Sequence, residues 1–385
     1  MVTPRVLSSA TSAHVLAEGL ATAGDFAADL ASNDAFLTSP KTVPRPTFES
    51  SCASAVYRGD VVALPGLWPL KHGGRLVRGR VAYEITGPAG ALVVVVLGGI
   101  SSGAHVTSTE KDPLPGWWQE LVGPSKAIDT ARFRVLSFDF LGGNGRSSGP
   151  RDEAWNSPGD EFPTIDTADQ ARVLFLLLEV LRIDRLHAIV GSSYGGMVAL
   201  AFAERFPDRV DRLVVISAAD RTHPRSTAWR VVQRRVVRLG LETGEERQGL
   251  CLARALAMIG YRTPEELERR FDGEPEKTPA AFKFPIENYL DARGEDFADR
   301  FHPRAFLCLS ESIDLHRVDP FRIVVPTTLI AAQSDQLVPV EQLRSLHRCL
   351  AAESDLVEIE SLYGHDAFLK EIDVLTPILR DRLDG

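Results

Sequence analysis

The stretch HAIVGSSYGGMVALAF, residues 187–202, decides how this chain folds. An apolar run, LHAIV, enters a turn of small residues, and MVALAFAERF leaves it with helical character. Gly191-Ser192-Ser193-Tyr194-Gly195 fits the pattern G-x-S-x-G, with Ser193 at its centre. A strand before and a helix after make that pattern a sharp turn that exposes the central hydroxyl at a helix N-terminus. Small residues are needed there because the two backbones approach closely. A second match, Gly145-Arg146-Ser147-Ser148-Gly149, acts as an internal control. Pro150 and the polar run RDEAWNSPGD follow it, so no helix begins and a loop near the pocket rim is expected.

Working outward, GRVAYEITG (79–87) alternates like a strand, and a series of short apolar runs follows the same punctuation. These are LVVVVLGG (92–99), FRVLSFDFLGG (133–143), LHAIVGSS (186–193), RLVVISAA (212–219), TTLIAAQSD (327–335) and LVEIESLYGH (356–365). Helical patterns such as TADQARVLFLLLEVLRI (167–183) lie between them. Strands apolar on both faces, alternating with helices, predict an α/β protein with a mainly parallel sheet. Ligands then bind at the carboxyl ends of the strands. Residues 221–319 carry almost no strand signal and read as a helical lid domain inserted between two halves of the core, 61–220 and 320–385. Residues 1–60, rich in Ala, Ser and Thr, read as a partly disordered extension with a weak amphipathic helix around Leu16–Leu30.

Bulk properties limit the function classes. Forty-three basic against 52 acidic residues give a net charge of −9, which argues against a general nucleic-acid role. No apolar run approaches the roughly 20 residues of a membrane span. Cys52, Cys251, Cys308 and Cys349 are scattered without a CxxC or a histidine cluster, so neither a disulfide frame nor a metal site is expected. The N-terminus lacks a secretory signal pattern and carries Glu18, Asp25, Asp29 and Asp34, so a cytoplasmic location is the expectation.

A serine hydroxyl needs a base, and on this fold the chain order is Ser, acid, His. Asp335 ends one apolar run and His365 another, giving an expected Ser193–Asp335–His365 triad. The oxyanion requires two backbone N–H groups, one from Tyr194 and one from the turn after LVVVVLGGIS, at Ile100. His105 lies just past that turn and is a further pocket candidate; the remaining histidines fall in helical, turn or tail contexts. Arg254 sits on the stripe Leu250, Arg254, Met258, Tyr261 of a lid helix, where it either meets an anion, pairs with a lid glutamate or reaches solvent. Asp366, beside the catalytic histidine, either faces the pocket or caps the following helix.

Several long segments carry a family likeness: LKHGGRLVRGRVAYEITG, GWWQELVGPSKAIDT, GSSYGGM, GLCLARALAMIGYRT, FPIENYLDARGEDFADRFHPRAFLCLSESIDLH and YGHDAFL. With these the chain resembles the homoserine O-acetyltransferases of the α/β-hydrolase superfamily, to which homoserine and serine O-succinyltransferases are close. The resemblance implies an α/β-hydrolase fold and transfer of an acetyl group from acetyl-CoA to the homoserine hydroxyl through an acyl-enzyme on Ser193. It implies that Arg254 and Tyr261 hold the acceptor's carboxylate and Asp366 its ammonium, with Ile100 as second oxyanion donor. It also implies no permanently bound cofactor or metal, small-molecule substrates only, and a homodimer through the lid helices. Three positions depart from the family's usual residues: Tyr194 for Met, Asp139 for Asn, and GGIS for a TGLS-like turn. A succinyl donor would require an added cation, for which Arg146 and the lid run RVVQRRVVR are candidates.

Overall fold

The computed structural model describes residues 5–8, 59–155, 161–279 and 281–384. Nine strands form one sheet: β1 (Arg5–Ser8), β2 (Asp60–Ala63), β3 (Arg80–Thr86), β4 (Val93–Leu97), β5 (Arg134–Phe138), β6 (Ala188–Ser192), β7 (Leu213–Ile216), β8 (Thr327–Ala332) and β9 (Ser354–Ile359). Their order is β1-β9-β8-β7-β6-β4-β5-β3-β2. The six strands from β9 to β5 are parallel, while β1, β3 and β2 add antiparallel at the two edges. Every apolar run singled out in the sequence contributes one of the seven strands β3 to β9.

The composition of these strands follows from two-sided burial. In β4, Val93, Val95 and Leu97 pack on one face with the helices α1 (Thr167–Leu181) and α2 (Tyr194–Arg205). Val94 and Val96 pack on the other face with Trp118 and Leu121. A side chain on either face is dry, so no polar alternation survives in the sequence.

After β7 come α3 (Pro224–Thr243), α4 (Glu246–Tyr261), α5 (Pro264–Phe271), α6 (Glu287–Arg300) and α7 (Pro303–Leu315), then β8. Five helices thus lie within 221–319, where the sequence predicts a helical lid domain, together with an antiparallel ribbon of Glu276–Lys277 and Phe282–Lys283. The two ends of this helical segment meet. Arg221 bridges Arg317, and Val318 N–H donates to the Asp220 carbonyl at 3.0 Å. Both ends of the insertion therefore leave the core at one place, beyond the carboxyl end of β7. The helices α8 (Val340–Cys349), α9 (Ala367–Lys370) and α10 (Ile372–Asp384) complete the core.

The edge strands are where the sequence reading falls short. β1 lies within the segment expected to be an extension, and β2 straddles its boundary. In β2 only Val62 is buried, so the strand's sequence carries weak alternation. The amphipathic helix expected around 16–30, and Cys52, lie outside the described residues. Among the described residues, no helix is long and apolar enough to cross a membrane.

Candidate active site

The strand order reverses between β6 and β4, the point where open α/β sheets bind ligands. Gly191 of β6 pairs with Leu97 of β4, so both chains end side by side. Ser193 is the single residue between β6 and α2, at φ 51° and ψ −120°. A non-glycine residue rarely adopts that conformation, and it holds Ser193 in one orientation at the helix N-terminus. The flanking glycines make the turn possible: a Cβ on Gly191 would lie 2.4 Å from the Gly195 carbonyl oxygen, and one on Gly195 2.3 Å from that of Leu97. Gly195 N–H instead donates to the Gly98 carbonyl at 2.8 Å, tying the Ser193 turn to the turn after β4.

Ser193 Oγ lies 2.9 Å from His365 Nε2, and His365 Nδ1 lies 2.7 Å from Asp335 Oδ2. A carboxylate only accepts, so Nδ1 carries the proton, and Nε2 accepts from the serine hydroxyl. The second Asp335 oxygen accepts from Leu337 N–H at 2.8 Å and Val338 N–H at 3.0 Å, which orients the carboxylate. Burial of His365 works against its charged form, but Asp335 outweighs this and raises the pKa above the ordinary value. Asp366 adds to the rise, and Arg230 opposes it.

Among the described residues, neither Ile100 N–H nor Tyr194 N–H has an acceptor in the surrounding loops. Ile100 lines a cavity of ≈ 130 Å³ with Ser102, Asp139, Asn144, Phe301 and Leu309. The Tyr194 side chain does not enter it. It is fully buried, edge-on to Phe140 at 4.9 Å, with its hydroxyl 2.7 Å from Ser312 Oγ of α7. This side chain thus ties α7 to the first turn of α2, directly after Ser193. Asp139 accepts from Ala104 N–H and Arg146 N–H, both at 2.7 Å, and braces the cavity floor. Ser147, centre of the second G-x-S-x-G, accepts from Ala82 N–H and donates to the Asp139 carbonyl, a buried staple in a loop. His105 is held by Glu84 at 3.0 Å and the Leu114 carbonyl at 2.7 Å, away from the serine.

The end of α4 and the two residues after it grip the His365 loop. The Tyr261 ring stacks on His365 at 5.7 Å, Arg262 Nη1 lies 2.8 Å from Asp366 Oδ2, and Thr263 Oγ1 donates to the Leu362 carbonyl at 2.7 Å. Asp366 therefore does not cap α9 with its side chain. Arg262 is the residue that sequence reasoning missed; its place beside Tyr261 in GYRT was the available signal. Arg254 lies 5.2 Å from the Tyr261 ring and 4.9 Å from Phe297. Among the described residues it forms no ion pair and no hydrogen bond. Its guanidinium, one ring away from His365, lies against two aromatic faces and adds, after Arg300, to the positive field that holds the Asp296 carboxylate below its ordinary range.

The α/β hydrolase fold model matches residues 93–372. The homoserine O-succinyltransferase of Xanthomonas campestris is 43% identical over 93% of this chain and 92% of its own length. The homoserine O-acetyltransferase of Symbiobacterium thermophilum is 33% identical over 81% and 90%. Among solved structures, homoserine O-acetyltransferase from Bacillus anthracis superposes with a TM-score of 0.78 at 20% identity, covering 85% of this chain and 97% of that one. The chain belongs to the homoserine O-acetyltransferase family of the α/β-hydrolase superfamily, in which acetyl- and succinyltransferases stand together.

Proposed function

We propose that this chain transfers an acyl group from a coenzyme A thioester to the hydroxyl of homoserine through an acyl-enzyme. Ser193 Oγ attacks the thioester carbonyl while His365 Nε2 takes its proton, and the Ile100 and Tyr194 N–H groups face the developing oxyanion. The C–S bond breaks and the imidazolium returns the proton to the departing thiolate. The acceptor hydroxyl then attacks the serine ester, His365 takes that proton, and Ser193 Oγ recovers it on leaving. Arg254 and Tyr261 hold the acceptor carboxylate, and Asp366, positioned by Arg262, holds the ammonium. An acceptor so bound outcompetes water through its effective concentration. Acyl-CoA is a co-substrate, and the reading invokes no resident metal or cofactor.

One observation carries this reading beyond hydrolysis: a guanidinium with no hydrogen bond or ion pair among the described residues stands one aromatic ring from a serine–histidine–aspartate relay. The test is CoA release from acetyl-CoA and succinyl-CoA with and without homoserine or serine, with the acylated amino acid identified by mass. Release that ignores every hydroxy amino acid would make the protein a thioesterase instead. The sequence reading names acetyl-CoA as donor, while the Xanthomonas relative is named for succinyl transfer. The charge that the acyl site offers decides between them.

A further inference from the structure

The turn that carries Ile100 hangs between two anchors. In front of it, the Gly98 carbonyl accepts from Gly195 N–H at 2.8 Å. Behind it, Ala104 N–H donates to Asp139 at 2.7 Å, and the Trp117 indole N–H donates to the Gly103 carbonyl at 3.1 Å. The chain then folds back on itself. Trp117 N–H donates to the His105 carbonyl at 3.1 Å, and Trp118 N–H to that of Val106 at 3.0 Å. The His105 ring closes this loop. Its Nε2 lies 2.7 Å from the Leu114 carbonyl, and its Nδ1 lies 3.0 and 3.2 Å from the two carboxylate oxygens of Glu84 in β3. One imidazole thus ties both limbs of the loop to the sheet.

A carbonyl only accepts, so Nε2 carries a proton. A bare Nδ1 would turn its lone pair on a carboxylate, and the two would repel. The contact therefore holds one further proton, which makes His105 an imidazolium or Glu84 a neutral acid. The surroundings retain that proton. Burial of Glu84 raises its pKa above the ordinary carboxylate range. Burial of His105 works against its charge, but the Leu114 carbonyl and Glu84 outweigh this and raise its pKa as well. The other charged groups that face the pair are Asp112, 4.0 Å from Nδ1, and Asp139, just after β5. Both are acids, and both favour the protonated pair. Loss of the proton would leave the buried Glu84, Asp112 and Asp139 carboxylates repelling one another, a costly arrangement.

We propose that Glu84 and His105 are positioning residues for the oxyanion donor Ile100: the single proton they share keeps the 98–118 loop closed, and its loss at alkaline pH loosens the donor. The inference rests on the acyl-enzyme reading, which gives the Ile100 N–H its task. Neither side chain touches substrate; both act through the loop. The sign follows from the raised pKa values. The proton is bound below them and leaves as pH rises through them, so acylation should fall on the alkaline side. His365 as general base predicts only an acid limb. Removing an oxyanion donor outright costs roughly a hundred- to thousand-fold in rate, and a loosened donor costs part of that.

The test follows the burst of CoA release without acceptor against pH, using the better of acetyl-CoA and succinyl-CoA, for the full chain, Glu84→Gln and Glu84→Ala. The wild type should show an acid limb from His365 and an alkaline limb from the shared proton. In Glu84→Gln an amide N–H donates to the unprotonated Nδ1 while Nε2–H still serves Leu114. The loop then needs no extra proton, and the alkaline limb should vanish. Any limb that belongs to the acyl-CoA itself would persist in the variant. Glu84→Ala restores no donor and should slow the burst roughly ten-fold at neutral pH. Its half-saturating acyl-CoA concentration should not move, because the oxyanion donor acts on the transition state. A wild type without an alkaline limb, a limb kept in Glu84→Gln, or a Glu84→Ala burst as fast as the wild type overturns the proposal. Should the variants fail to fold, amide hydrogen exchange of the wild type decides. Residues 99–118 should lose protection, beyond the intrinsic pH dependence, from neutral to alkaline pH while β6 keeps its own; a loop that stays protected refutes the proposal. A wild type with no burst at any pH would instead overturn the acyl-enzyme reading beneath it, and the exchange measurement still decides the role of the pair in the loop.

Discussion

Arg254→Met separates acceptor recognition from the rest of the machinery. In the free enzyme the Arg254 guanidinium contacts two aromatic faces, at 4.9 and 5.2 Å, and no acid. Its loss should therefore cost the fold only about 1–2 kcal/mol, the worth of two cation–π contacts. With homoserine bound, the same group makes a charge-assisted hydrogen bond to the carboxylate, worth about 1.5–3 kcal/mol. At about 1.4 kcal/mol per decade, kcat/KM for homoserine should fall roughly ten- to hundred-fold. Formation of the acyl-enzyme, followed as a burst of CoA release without acceptor, should keep its rate, because thioester attack does not involve the acceptor site. The decisive comparison uses 3-aminopropan-1-ol, which is homoserine without its carboxylate. It should be a poor acceptor for the wild type and an equally poor one for the variant. If the variant loses as much with the amino alcohol as with homoserine, Arg254 acts by shaping α4 and not by binding the carboxylate. If neither acceptor is affected, the residue has no part in recognition.

Further outcomes follow from other contacts. His365 must be neutral to act as base, and its pKa is raised, so acyl-enzyme formation should fall as pH drops through a value above the ordinary 6.5. Asp366→Asn removes one of the charges favouring the imidazolium and should move that acid limb to lower pH, read from kcat/KM for the acyl donor against pH; an unmoved limb would separate Asp366 from His365. Tyr194→Phe should destabilise the fold by about 1–3 kcal/mol in urea unfolding, because Ser312 Oγ is fully buried and loses its partner. Its oxyanion donor is a backbone N–H, so the transfer rate should survive, and a collapse in rate with a normal fold would contradict that assignment. Arg262→Met leaves the Asp366 and Glu266 carboxylates, 14% and 6% exposed, without their shared cation. Removing one partner of such a pair costs about 3–5 kcal/mol, so urea unfolding should show a large loss that Arg262→Lys partly restores.

The amino-acid sequence by itself determined the α/β architecture and the chain order of Ser193, Asp335 and His365. The run at 92–97 could only be a strand dry on both faces, and the glycines at 191 and 195 admit only a tight strand-to-helix turn. Asp335 and His365 were legible because each closes an apolar strand in the chain order that this fold requires. These features are local: a few neighbouring residues carry the whole signal. The partners of the charged groups were not legible. Arg254 was left open between an anion, a lid glutamate and solvent, and only the packing of α4 on α6 sets its guanidinium between the Tyr261 and Phe297 rings. Asp366 read equally well as a helix cap, until folding brought Arg262 to it from the far end of α4. The basic run of α3 read only as a candidate source of a cation; folding against α7 turned two of its arginines onto one aspartate. Which charges are neutralised depends on contacts between residues some 80 to 104 positions apart. Electrostatic pairing acts through space, so only the tertiary structure decides it.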